Sequence, residues 1–263
     1  MLVQEGEGRS SAADRHLAWT LAGVAGALNT AGFYAVGFYS SNMTGNVSAL
    51  ADHLGIGDLA TAGPYLAVVV TFVAGATVST LMINAGRRHL AGIYAISILV
   101  EALLMAALGC AALWLPEMRR GPTLAFGLSF LMGLQNAVVT RISNARVRTT
   151  HVTGMVTDIG IELANALDLA GRRGQEAEAA ANRERLWLHG QTVLAFLGGG
   201  VVGVATFRAA GVLLLFGTAA VLLAISGFGL VTGWRGAPPD TTSPGRLGLQ
   251  AGRRPGCGRS ESA

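Results

Sequence analysis

The chain has 263 residues, of which 51% are hydrophobic and 13% are charged, and its formal net charge is +4. Soluble domains carry about 25% charged residues, so this composition excludes an ordinary soluble protein and favours a membrane protein. All 19 basic residues are arginines, and they are scattered over loops and tails rather than gathered on one face, which argues against a nucleic-acid-binding surface.

Six segments have the roughly 20 mostly apolar residues that a bilayer crossing requires. We number them predicted helices one to six, and they cover about residues 17–39, 62–84, 90–115, 123–140, 188–207 and 210–233. The leader before predicted helix one mixes acidic with basic residues, so we expect a retained helix rather than a signal peptide. The sequence therefore predicts an all-α, polytopic membrane protein of about six transmembrane helices.

The arginines also predict an orientation. Sixteen of the 19 fall in the N-terminal tail, the C-terminal tail and the loops after predicted helices two and four. Because basic loops stay in the cytoplasm, this bias predicts a multi-pass protein of the bacterial inner membrane with both termini cytoplasmic.

Three regions are predicted to lie outside the membrane core. Residues 1–16 form a cytoplasmic N-terminal tail, and residues 236–263, rich in Pro, Gly, Ser and Arg, form a disordered C-terminal tail. Between them, residues 17–235 form the membrane domain. Its charged stretch 171–187 is rich in Ala and Glu and is predicted to be a short cytoplasmic helix or linker.

Short motifs recur in the same order in the two halves of the membrane domain. The motifs are "GALN" (26–29), Thr44-Gly45 and "FVAGA" (72–76), and then "GLQN" (133–136), Thr153-Gly154 and "FLGGG" (196–200). Three crossings per half would turn the second half over relative to the first. The order therefore predicts two inverted three-helix repeats, residues 17–115 and 123–233. The alternative is chance similarity between apolar helices rich in small residues.

Two polar stretches, "SNMTGNV" (41–47) and "RTTHVTGMVTDIG" (148–160), follow predicted helices one and four. Each is predicted to start a short, interrupted helix. A helix that begins inside the membrane directs its free N–H groups and its positive dipole end at a cavity, which favours a polar or anionic ligand. The alternative is a capped turn in an ordinary interfacial loop. The candidate N-cap residues are Ser41, Asn42 and Thr44, and then Thr149, Thr150 and Thr153.

Polar side chains inside the apolar segments are costly. Glu101 lies about midway along predicted helix three, where a charge costs at least about 2.5–3.5 kcal/mol, so it is protonated, paired or in contact with a wet cavity. It is a candidate proton carrier or cation ligand, or else a structural hydrogen-bonding group. The amides Asn29, Gln135 and Asn136 either line a pathway or fasten helices together.

His151 and Asp158 are seven residues apart and would share one face of a continuous helix. With Glu101 they could form a proton relay, but we favour a cytoplasmic membrane boundary, because arginines directly precede His151. The complete set of candidate substrate-binding residues is Asn29, Thr44, Gly45, Asn46, Glu101, Gln135, Asn136, Thr150, His151, Thr153, Gly154 and Asp158.

Enzyme motifs are absent from the sequence. It contains no phosphate-binding loop, nucleophile elbow, His-Glu-x-x-His motif or cysteine pair, so we predict no enzyme, no cofactor and no metal site. Cys110 and Cys257 form no disulfide framework. An intramembrane enzyme acting through His151 and Asp158 is kept only as a remote option.

Three motifs carry a resemblance to a known family. "NMTGN", "GLQNA" and "RTTHVTG" before a short amphipathic stretch resemble the YoaK family of bacterial inner-membrane proteins, which is defined as a domain of unknown function. The resemblance covers about residues 15–233. It implies an integral membrane protein with about six helices and supplies no substrate, cofactor or catalytic residue.

The leading functional hypothesis is a transporter or permease-like protein for a small polar or anionic solute, with proton coupling as an option. The alternative is a non-transporting membrane scaffold or sensor. The expected partners are the lipid bilayer, the solute and, as a further option, a second copy of the chain. Gly199 and Gly203 would then supply a close-packing face, within the chain or between chains.

Overall fold

The computed structural model describes Leu2, residues 11–88, Leu90, residues 92–170 and residues 174–235. The predicted tail 236–263 lies outside the described residues, as do most of residues 1–10 and residues 171–173 of the predicted linker. The described chain is all-α, as predicted. Its helices are α1 Ser11–Val36, α2 Met43–Gly55, α3 Leu59–Gly86, α4 Ile93–Trp114, α5 Glu117–Ile142, α6 Val152–Leu169, α7 Glu176–Ala210 and α8 Leu214–Arg235, with a 3₁₀ turn at Gly211–Leu213.

Four segments of the described chain are long and apolar enough to cross a membrane. Three of them are α3, α4 and α5, which correspond to predicted helices two, three and four. The fourth, Glu176–Val231, contains α7 and most of α8, where helices five and six were predicted. Because α1 is not among these segments, the count of six crossings remains a prediction.

The outside of the bundle carries large apolar side chains. On α3, the residues Leu66, Val70, Val73 and Leu81 are each between 51% and 62% exposed. Soluble proteins rarely expose large continuous apolar patches, whereas acyl chains cover such a surface at no cost. The exposed face of α3 therefore fits a helix that lies against lipid.

Helices α1 and α7 cross through glycines. A Cβ atom built on Gly26 of α1 would overlap the carbonyl oxygen of Phe196 in α7, and one built on Gly199 of α7 would overlap the carbonyl oxygen of Gly23. A Cβ atom on Gly203 would likewise collide with the backbone of Ala27. Without side chains at these points the two backbones touch. The predicted close-packing face of Gly199 and Gly203 is thus used within the chain.

Helices α3 and α5 cross in the same way. A Cβ atom on Gly133 of α5 would overlap the carbonyl oxygen of Phe72 in α3, and one on Gly75 of α3 would overlap that of Phe130. Both crossings therefore depend on the small residues that the two sets of motifs supply.

The short helix α2 begins at Met43, inside the polar stretch 41–47 where a short helix was predicted to start. Its N-cap is Asn42, one of the three candidates, whose Oδ1 accepts the N–H of Gly45 at 3.1 Å. This bond satisfies a donor of the first turn that the helix itself cannot pair.

The prediction that a threonine caps α6 is wrong. The N-cap of α6 is His151, which makes no side-chain cap hydrogen bond. Thr150 is unavailable because its hydroxyl donates to Oδ1 of Asn136 at 2.8 Å. Thr153 already lies inside the first turn, and the N-cap position is outside it.

Helix α7 begins earlier than predicted helix five. From Glu176 onward the predicted linker is helical and continues without a break into the apolar part of α7. Ala, Glu and Arg are strong helix formers, and residues 176–187 contain neither Gly nor Pro to end the helix.

Candidate functional site

A cavity of about 410 Å³ lies where α2 and α6 begin. Its walls come from α1, α3 and α7 and from the segments that lead into the two short helices. The lining residues are Asn29, Tyr39, residues 41–44, Phe72, residues 150–154 and Phe196. The cavity therefore brings together both polar stretches that the sequence singled out.

Before each short helix, one side-chain amide of a long helix binds the chain by hydrogen bonds. Oδ1 of Asn29 in α1 accepts both the N–H and the hydroxyl of Ser41, each at 2.9 Å. Oδ1 of Asn136 in α5 accepts the hydroxyl of Thr150 at 2.8 Å. These amides were predicted either to line a pathway or to fasten helices together. Asn29 does both, because it binds Ser41 and also lines the cavity.

Gly45 and Asn46, two further candidates, form hydrogen bonds beside the cavity. The N–H of Gly45 binds Asn42, and Nδ2 of Asn46 donates to the carbonyl oxygen of Tyr39 at 3.0 Å, which braces one wall. Asp158 is half-buried farther along α6 and does not line the cavity. In the part of the chain that the structure describes, no hydrogen bond joins His151, Asp158 and Glu101 into a relay.

Glu101 and Gln135 lie apart from the cavity lining. Glu101 is fully buried, and Nε2 of Gln135 donates to its Oε1 at 3.0 Å across the interface of α4 and α5. Oε2 of Glu101 and Oε1 of Gln135 have no partner among the described residues. Both are acceptors when the carboxyl is ionised, whereas a proton on Oε2 supplies one donor.

Several site features were missed by the sequence reasoning. The aromatic walls, Tyr39, Phe72 and Phe196, were not predicted, although Phe72 and Phe196 each open a repeated motif that could have drawn attention to them. Ser41 was noted only as a candidate cap, because its bond to Asn29 depends on how α1 packs.

Polar contacts that were not predicted link each short helix to the helix that follows. Nδ1 of His189 lies 2.9 Å from Oε1 of Glu162, between α6 and α7. Between α2 and α3, Nδ1 of His53 lies 3.2 Å from Oδ2 of Asp58. Hydrogen bonds from Thr61, the first from its side chain, lower the pKa of Asp58 below its usual value.

With apolar helices of spanning length and a polar cavity among them, the chain fits the class of helical membrane proteins. A family model described as a protein of unknown function, DUF1275, matches residues 17–228, so the chain belongs to the DUF1275 family. This membership is compatible with the YoaK resemblance. No curated protein and no solved structure matches the chain.

Proposed function

We propose that this chain is a multi-pass inner-membrane transporter or permease-like protein for a small polar or anionic solute. The observation that carries the proposal is the cavity at the starts of α2 and α6. Secondary transporters with inverted repeats bind solutes near the bilayer midplane, where the ends of interrupted helices meet. We place the solute in this cavity.

Reciprocal helix contacts support two inverted repeats. Gly26, in the first motif of the first half, meets Phe196, in the third motif of the second half. Gly133, in the first motif of the second half, meets Phe72, in the third motif of the first half. Such an exchange is what a two-fold relation between the halves produces, and chance similarity of apolar helices gives no reason for it.

The amides support the same relation. Asn29 ends "GALN" and binds Ser41, while Asn136 ends "GLQN" and binds Thr150. Each bond thus joins the first long helix of one half to the segment before its short helix. The cavity between them takes residues from both halves, as expected for a site on a two-fold axis.

If Glu101 couples proton movement to transport, its effect on the cavity has to pass through α5, because Glu101 does not line the cavity. Gln135 binds Glu101, and its neighbour in the chain, Asn136, binds Thr150 at the cavity. A change in the protonation of Glu101 can thus act on the start of α6 through two adjacent amides of one helix.

Removing the hydroxyl of Thr153 is expected to weaken solute uptake. This hydroxyl lines the cavity and has no partner among the described residues, so a solute is free to bind it. We expect Thr153→Val to lower uptake from dilute solution by about three- to tenfold, the value of one hydrogen bond. Uptake of candidate solutes into proteoliposomes is measured at controlled pH.

Thr157→Val is the matched control for this experiment. The hydroxyl of Thr157, one turn later on α6, donates to the carbonyl oxygen of Thr153 at 3.1 Å and does not line the cavity. We expect uptake at the wild-type rate. Equal losses of uptake in both variants would contradict binding of the solute in the cavity. Absence of flux for every solute would favour the scaffold or sensor alternative.

The proposed orientation has its own test. With both termini cytoplasmic, a reporter that is active only in the cytoplasm is expected to be active when fused to either end, and a periplasmic reporter inactive. Opposite activities at the two ends would require an odd number of crossings and would overturn the six-helix arrangement.

A further inference from the structure

We propose that the start of α6 binds the negative charge of the solute, so that the cavity selects a small oxyanion, a carboxylate or a phosphate. We call the backbone N–H groups of Val152, Thr153 and Gly154 the α6 anion site. The inference rests on the proposed function for its solute, but anion binding can be tested without transport.

The two short helices begin differently. In α2, Oδ1 of Asn42 accepts the N–H of Gly45, so a side chain of the protein itself pairs this first-turn N–H group. In α6 no side chain caps the first turn. The first backbone bond at this end runs from the N–H of Met155 to the carbonyl oxygen of His151, so the three N–H groups of the α6 anion site have no acceptor among the described residues. All three residues line the cavity. Unpaired N–H groups at the positive end of a helix dipole bind anions.

A second donor, from another helix, is directed at the same cavity. Asn29 is only 6% exposed and lines the cavity. Its Oδ1 is occupied by Ser41, and its Nδ2 donates to no acceptor in the described part of the chain. Asn29 Nδ2 is thus an available donor beside the cavity, and a ligand there can accept its N–H.

The charges around the cavity also favour an anion. No acidic side chain lines the cavity among the described residues. Arg148 lies beside the start of α6, since a methyl group built on Gly154 would be 3.9 Å from its Nη1. A cation would find no carboxylate here, whereas an oxyanion finds neutral donors and a nearby positive charge.

His151→Asn tests the site by giving α6 the cap that α2 already has. The backbone of His151 (φ −85°, ψ 55°) resembles that of Asn42 (φ −91°, ψ 73°), so an asparagine there can bind the N–H of Gly154 from within the chain. We expect this variant to be at least as stable as the wild type. It should bind anions roughly tenfold more weakly, because one charge-assisted hydrogen bond is lost.

The measurement is the thermal stability of the full-length purified protein in detergent, titrated with sodium acetate or sodium phosphate against sodium chloride at equal ionic strength. Either oxyanion should stabilise the wild type, because a ligand of the folded state raises stability. His151→Ala is the comparison. It removes the imidazole without adding a cap, and we expect it to bind anions more tightly than His151→Asn does.

The outcomes separate the two proposals. If neither oxyanion stabilises the wild type beyond chloride, or if His151→Ala loses the response as fully as His151→Asn, the α6 anion site is wrong. Stabilisation by acetate alone assigns a carboxylate, and stabilisation by phosphate alone a phosphate. Anion binding without any flux in proteoliposomes would keep the site and refute transport.

Discussion

Gly199→Ala is expected to destabilise the folded protein by about 3 kcal/mol, near the upper end of the usual cost of overpacking a core. The added Cβ atom would overlap the carbonyl oxygen of Gly23, and this obstacle is backbone that cannot rotate aside. The helices would have to separate, and α1 and α7 would lose this close backbone contact. The free energy of unfolding in mixed detergent micelles is the quantity to measure.

Gly198→Ala provides the control in the adjacent residue of the same helix. A Cβ atom on Gly198 meets nothing within 4 Å. Alanine also favours helix over glycine by roughly 0.8–1.0 kcal/mol in an exposed helix, so stability should stay the same or rise. If Gly198→Ala and Gly199→Ala had the same effect, the crossing of α1 and α7 would not be where the structure places it.

Gln135→Leu is expected to cost about 1–3 kcal/mol of stability, because it leaves the fully buried Glu101 without its hydrogen-bond donor. The double variant Glu101→Leu with Gln135→Leu should recover most of this loss. Replacing both partners by apolar groups leaves no buried polar atom unpaired, and such exchanges are often neutral or stabilising. A double-mutant cycle of unfolding free energies measures the coupling.

Glu101→Gln separates a structural from a proton-carrying role. Glutamine has nearly the same shape and remains a hydrogen-bond acceptor for Gln135, so we expect stability close to that of the wild type. If Glu101 carries protons, uptake in proteoliposomes should lose its dependence on a pH gradient. A wild-type pH dependence of uptake in this variant would exclude Glu101 from coupling.

Local sequence signals predicted the all-α class and the start of α2 well, because they act over short distances. The apolar runs at α3, α4 and α5 indicate spanning helices through hydropathy alone. The bounds of α2 follow from Asn42, which caps the turn three residues ahead, and the next break comes at Gly57. For the same reason the two polar stretches could be selected as the candidate site before their positions were known.

Contacts between distant segments could not be predicted in the same way. Thr150 is a good N-cap residue by type, yet its hydroxyl binds Asn136 because α5 packs beside it. Glu101 and Asn29 are both polar residues inside apolar helices. The packing of the helices alone puts Asn29 at the cavity and Glu101 in the interface of α4 and α5.

The amino-acid sequence by itself determined an all-α chain with apolar helices that fit a membrane protein and with two short helices at Thr-Gly stretches. Hydropathy, capping and helix propensity are properties of neighbouring residues. The tertiary structure alone decided that the first turn of α6 is open to the cavity. A polar group binds whichever partner folding brings within reach, as Gln135 binds Glu101, 34 residues away in the chain.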